Sequence, residues 1–185
     1  MYVAFHYIDQ TLSESFLFVF WVKEQGTASK LWTADPYVIG AAGCVRTNQI
    51  LKHFTSWPKY RADEVTDLEA FTVKEIVPAL FAACADKAIL RTTHGQNHMD
   101  NEMVLAWGDH LYSISGNGAV VADVTGRTAA GSGRAEAVGY LGDKGPWTIE
   151  QVCEAAQRAT LTNLGCSGPI DYVTTIDKTV TRWEP

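Results

Sequence analysis

The chain has 185 residues, enough for one sizeable core and hardly for two. Hydrophobic residues make up 46% and charged residues 19%, and six Trp, seven Tyr and seven Phe exclude a disordered polymer. A net charge of -6 and a pI near 5.3 argue against nucleic acid as a partner, because phosphate binding needs a positive footprint. Taken in chain order, Tyr2 to Ile8 and Ser15 to Val22 are rich in aromatic and β-branched residues and are predicted as strands, with "DQTLSE" as the turn between them. Lys30 to Trp32 and Tyr37 to Ala41 are predicted as a second hairpin around "TADP", where Pro36 suits a turn. From Cys44 to Phe54, Ile50, Leu51 and Phe54 recur at helical spacing, and the helix should end before Pro58. Asp67 to Ala88 is predicted as a longer helix with Asp67 as N-cap. Leu68, Phe71, Leu80 and Cys84 can share its inner face, and Pro78 should bend it.

The middle of the chain returns to β-structure. "MVLAW", "HLYSIS" and "AVVADV" are short strands joined by "GD" and "GNG", both strong hairpin signals. "RTAAGSGRAEAVGYLG" reads as strand, glycine turn and helix. Thr148 to Thr162 is a helix capped by Thr148, with Ile149, Val152, Ala156 and Ala159 inward. "PIDYVTTID" and "KTVTRW" are two last strands around Asp177-Lys178. The order is strands, two helices, strands, two helices, strands. It lacks the regular alternation of a doubly wound parallel sheet and predicts two antiparallel sheets with helices outside them. No repeat or linker divides the chain, so residues 1–185 are expected to form one domain.

No apolar run reaches membrane-spanning length, and "MYVAFHYIDQ" has no basic n-region of a secretion signal. Cys44, Cys84, Cys153 and Cys166 are scattered without a CxxC pair, which fits small buried thiols in a reducing, cytoplasmic setting. His94 and His98 with Asp100 have i, i+4 spacing but fall in the polar stretch "THGQNHMDNE", read as a solvated loop; no metal or cofactor is expected. His110 in a hairpin turn and His6 in a strand offer no Ser-His-Asp grouping.

Four stretches in order carry a family likeness. "KLWTADPYVIGAAGCVRTNQIL" resembles the proteasome β-subunit segment that holds an active-site lysine, a strand and the glycine of the oxyanion site. "VLAWGDHLYSISGNGAVV", "AAGSGRAEAVGYLG" and "LGCSGPIDYVTTID" resemble that family's middle hairpin, its turn into the third helix, and the loop and strand after the fourth. Together they cover roughly residues 30 to 178, and their compact spacing is similar to the HslV peptidases and their phage-encoded relatives. The resemblance implies a four-layer αββα sandwich of the N-terminal-nucleophile hydrolase type. It also implies a ring-like homo-oligomer and, for an active peptidase, an ATP-dependent unfoldase as partner.

In that family a terminal Thr, Ser or Cys attacks while its own α-amine, with a pKa near 8, takes the proton. A lysine lowers the nucleophile's pKa and a glycine N–H stabilises the oxyanion. By resemblance Lys30 falls on the lysine, Gly43 on the oxyanion glycine, and Ser132 on the serine that supports the terminal amine. Each has a plainer reading too: a solvated strand-end lysine, a strand-to-helix turn, and the N-cap of a helix. Other positions depart from the family. The chain opens Met1-Tyr2, and neither side chain is such a nucleophile. Trp21 stands about where an aspartate should hold the lysine, and Thr162 or Asn163 where a second aspartate is expected. Cleavage at Gly26-Thr27 would expose a threonine but delete both first strands, and cleavage at Thr11 would discard the first. The expectation is a proteasome- or HslV-like subunit without its nucleophile, acting in assembly or as a scaffold. The alternative is an active threonine-type endopeptidase subunit with a different mature terminus. A metabolite-processing amidohydrolase of the same fold is disfavoured, because it too needs a terminal Ser, Cys or Thr.

Overall fold

The computed structural model describes residues 2–9, 12–21, 30–61, 64–107, 110–123, 127–142, 147–162 and 169–184, the first two ranges as backbone. Thr11, Gly26, Thr27, Asn163 and Cys166 therefore lie outside the described residues. All strand pairings are antiparallel. One sheet contains β1 (Tyr2–Asp9), β2 (Leu12–Trp21), β10 (Arg127–Ala130), β11 (Ile170–Thr174) and β12 (Thr181–Trp183), in the order β10-β1-β2-β11-β12. The other contains β3 (Leu31–Ala34), β4 (Tyr37–Gly43), β7 (Asn101–Trp107), β8 (His110–Ile114) and β9 (Val120–Ala122), in chain order.

Side-chain size assigns the layers. In β4 and β7, Tyr37, Ile39, Ala41, Met103, Leu105 and Trp107 pack under helices α1 (Val45–Phe54) and α3 (Val77–Asp86), against Ile50, Leu51, Leu80 and Cys84. The alternate residues Val38, Ala42, Val104 and Ala106 face the first sheet and meet Ala130 and Val173. Small residues on this inner face let the sheets approach closely, while the large ones fill the helix layer. On the far side, α4 (Arg134–Leu141) and α5 (Ile149–Thr162) cover the first sheet through Ala137, Val152, Ala156 and Ala159 against Ile170 and Tyr172. The four-layer αββα arrangement is thus present. Among the described residues no helix is long and apolar enough to cross a membrane.

Local signals explain most element ends. Asp67 accepts from Ala70 N at 2.9 Å and starts α2 (Leu68–Phe71). Thr148 and Gln151 form a reciprocal capping box at the head of α5, with bonds of 3.2 and 2.9 Å. Where a bend is expected at Pro78, the helix carries a π-helical turn, Thr72–Ile76, between α2 and α3. Proline lacks the donor and crowds the carbonyl four residues back, and a wider turn relieves both.

Three expectations are corrected. Phe54 and Ile149 point outward, at 53% and 39% exposure. Phe54 ends its helix, and the Lys87 ammonium lies 4.5 Å from its ring centroid. The stretch read as a polar loop holds a small hairpin, β5 (Arg91–Thr93) and β6 (Gln96–His98). His94 and Gly95 have φ of 52° and 78°, the pair of left-handed residues that a tight two-residue hairpin turn requires.

Candidate functional site

The Gly43 turn and the Gly131-Ser132 turn come together at one end of the sandwich. Gly43 closes β4 at φ 121°, opposite Asn101 on β7. A Cβ there would stand well inside contact distance of the Asp100 carbonyl oxygen and 3.0 Å from Asn101 Cα, so only glycine follows this path. Cys44 N then donates to Asp100 O at 3.0 Å and α1 begins. In the other sheet, Ala130 ends β10 and leads through Gly131 and Ser132 into α4. Between the two turns lies a cleft of about 740 Å³, lined by Ala42, Gly43, Asp100, Asn101, Glu102, Gly116, Gly131, Ser132, Arg134 and Ala135.

The backbone register brings more of the chain to this end. Tyr2 pairs with both Ala130 and Phe20, and Trp21 with Ile170. The start of β1, the end of β2 and the start of β11 therefore sit beside the Gly131 turn. Lys30 precedes β3, and its carbonyl accepts from Ala41 N at 3.2 Å. That puts its backbone two residues from Gly43, about 7 Å along the strand, yet Lys30 is not among the described lining residues. Burial pushes its amine below the ordinary 10.5, and it has no carboxylate partner among the described residues. Thr162, the other candidate at a family aspartate position, bonds back to its own helix at Arg158 O.

The cleft also holds residues that the sequence reading missed. Glu102 Oε2 accepts from Gly131 N at 3.1 Å, and its Oε1 lies 3.9 Å from Arg134 Nη1. Asp100 pairs with Arg91 at 3.2 Å. Asn101 is buried and donates to the equally buried Asn48 on α1, leaving its own Oδ1 without a partner among the described residues. The only sequence signal was the polar triplet "DNE" set directly against the buried strand "MVLAW". These groups can hold a peptide backbone and an ion pair. No His or Lys is among the described lining residues, and the carboxylates there are those of Asp100 and Glu102. Among the described residues no group of three or more His, Cys, Asp or Glu could hold a metal, and His94 and His98 lie on the β5–β6 hairpin.

The expectation of buried thiols is met at Cys84 and Cys153 but corrected at Cys44, which stands at the head of α1, where the chain turns out of β4, and is exposed. The Thr47 backbone N–H holds it below its ordinary value, followed by the Thr47 side chain and Arg46 N–H; burial and Asp100 oppose them. The side chain makes no formed capping bond, so the effect is that of nearby N–H dipoles. Burial pushes Cys84 up to about 11 and Cys153 up to about 12. With limiting iodoacetamide at pH 7.5, Cys44 is expected to be alkylated first, with Cys84 and Cys153 unmodified until the protein unfolds. Equal labelling of the three in a peptide map would contradict this.

Comparison with known proteins gives the same fold. No protein-family model matches the chain, and no curated protein sequence does. Among solved structures, Thiobacillus denitrificans BPH superposes with a TM-score of 0.71 at 15% identity, covering 94% of this chain and 97% of that one. It has also been solved in complex with epoxomicin. Eukaryotic HslV from Trypanosoma brucei gives 0.59 at 17% identity, over 94% and 98% of the two chains. Anbu from Pseudomonas aeruginosa, solved as a helical assembly, gives 0.67 at 16% identity, over 99% and 86%. The chain therefore has the proteasome-like sandwich fold of the N-terminal-nucleophile hydrolases.

Proposed function

We propose that this chain is a proteasome- or HslV-like subunit that has lost its nucleophile and serves in assembly or as a scaffold. The observation that carries this is β1 itself. The strand that begins beside the Gly131-Ser132 turn reads "YVAFHYID", without one Thr, Ser or Cys along its length. A covalent route of this family's kind needs an aliphatic hydroxyl or a thiol there. Lys30 supports the same reading: it is half-buried, its charge is disfavoured, and no described carboxylate orients it. Gly43 is accounted for by its backbone path alone. Free thiols at Cys44, Cys84 and Cys153 agree with a reducing, cytoplasmic setting.

The test is incubation of the purified protein with fluorogenic peptides and a covalent threonine-directed inhibitor, followed by intact mass. Neither turnover nor adduct is expected, and Lys30→Ala should change nothing. An adduct on the N-terminal residue, or turnover abolished by Lys30→Ala, would establish the second reading, an active threonine-type endopeptidase, for which the resemblance implies an unfoldase as partner. The meeting of Gly43 and Ser132 in one cleft favours that alternative, as does the epoxomicin complex of BPH.

The family resemblance leads us to propose self-association into a ring of six or seven copies. The helical assembly of Anbu supports association of this fold with copies of itself. Light scattering at micromolar concentration should therefore report a multiple of 20.3 kDa; a monomer would refute the ring for the isolated protein.

A further inference from the structure

We infer that Glu102 is a positioning residue, whose carboxylate sets the width of the cleft by tying the Gly131-Ser132 turn to the Gly43 wall. Glu102 stands opposite Ala42 on β7, next to the Gly43–Asn101 pair. Along β7, Met103, Leu105 and Trp107 face the helices, whereas Val104 and Ala106 face the other sheet. Strand alternation gives Glu102 the second direction. Its bond to Gly131 N therefore crosses from one sheet to the other, at the end where the facing residues are the small Ala42 and Ala130. Arg134, the first residue of α4, adds a guanidinium on the far side of the same carboxylate, and its own N donates to Gly131 O at 3.3 Å. The carboxylate thus fixes both the turn and the start of the helix that follows it. At the opposite end of the sandwich the sheets are tied by Lys178 and Asp35. Glu102 is half-exposed, so water competes for its bond and the tie can open locally without unfolding the core.

The tie bears on catalysis only under the second reading, in which this cleft is the peptidase site; the test does not depend on activity. Amide hydrogen exchange at Gly131 is measured by NMR in wild type, Glu102→Gln and Glu102→Ala. A hydrogen bond to a charged group implies that Glu102→Ala speeds Gly131 exchange by about tenfold to a hundredfold. Glu102→Gln keeps an acceptor oxygen, and its effect should stay within a few-fold. Val104 and Val173, in the core between the sheets, should be unchanged in both variants. Unaltered Gly131 exchange in Glu102→Ala would overturn the inference. So would equal acceleration across both sheets in both variants, which is a general loss of stability. Activity or inactivity of the wild type leaves these outcomes as they are, so failure of the functional reading remains distinguishable from failure of this inference.

Discussion

Gly43→Ala is expected to lower the stability of the folded chain by about 2 to 4 kcal/mol, although it adds a single methyl group. Two costs combine. At φ 121° an L-residue is strained whatever space surrounds it, and the new Cβ would press on Asp100 O and Asn101 Cα. Both are backbone atoms of the neighbouring β7 end, held by the β4–β7 ladder and by the Cys44 N to Asp100 O bond, so neither can step aside cheaply. For a chain of this size the melting temperature should fall on the order of 10 °C. Gly95→Ala is the control. It also has positive φ, at 78°, but a Cβ there meets nothing within 4 Å, so its cost should stay near about 1 kcal/mol. Thermal unfolding followed by circular dichroism compares the two. Equal shifts would mean that the close approach at Gly43 is not real. A large shift at Gly43 alone shows that the backbone demands glycine here, independently of any role in oxyanion chemistry.

Trp107→Ala should be the more severe lesion, at about 3 to 5 kcal/mol. Trp107 is fully buried at the end of β7, and Tyr60 stands edge-on to it with ring centroids 4.6 Å apart. Tyr37 and Phe71 each lie 5.4 Å away, so one side chain joins β4, the segment after α1, and α2. Removing it opens a cavity among residues that their own elements hold in place. Trp107→Phe discriminates packing from polar contact. Trp107 Nε1 has no hydrogen-bond partner among the described residues. Phenylalanine keeps most of the aromatic volume and removes that orphan donor, so it should cost about 1 to 2 kcal/mol or less. Urea unfolding of both variants measures the difference. If phenylalanine were as damaging as alanine, the indole N–H would have to be making a bond, and the packing account would be wrong.

Much of the fold was legible because its signals are local. The caps at Asp67 and Thr148, the pairing of β7 with β8 and of β8 with β9, and helical spacing in Leu80 and Cys84 each follow from signals that act over a few residues, and each stands where it was read. The run "YVIGAAG" reads as a continuous apolar strand because both its faces are covered, by helices on one side and by a sheet on the other. The hairpin at 91–98 was missed for the opposite reason: its strands are short and polar, and only the His-Gly pair at the turn announced it.

The site divides along the same line. The family resemblance of short stretches pointed to Gly43 and Ser132, and the glycine turns beside helix starts in which they sit are local patterns. That β1 holds no Thr, Ser or Cys is a matter of composition, which the sequence likewise carries. Only the tertiary structure decided that these two turns share a cleft, that Lys30 stands apart from its lining, and that Glu102 reaches across to Gly131. Such contacts join residues about 30 to 90 positions apart, between strands of different sheets. Which of them meet depends on how the two sheets are stacked, and the stacking follows from the summed packing of Val38, Ala42, Val104, Ala106, Ala130 and Val173 rather than from any short stretch of chain.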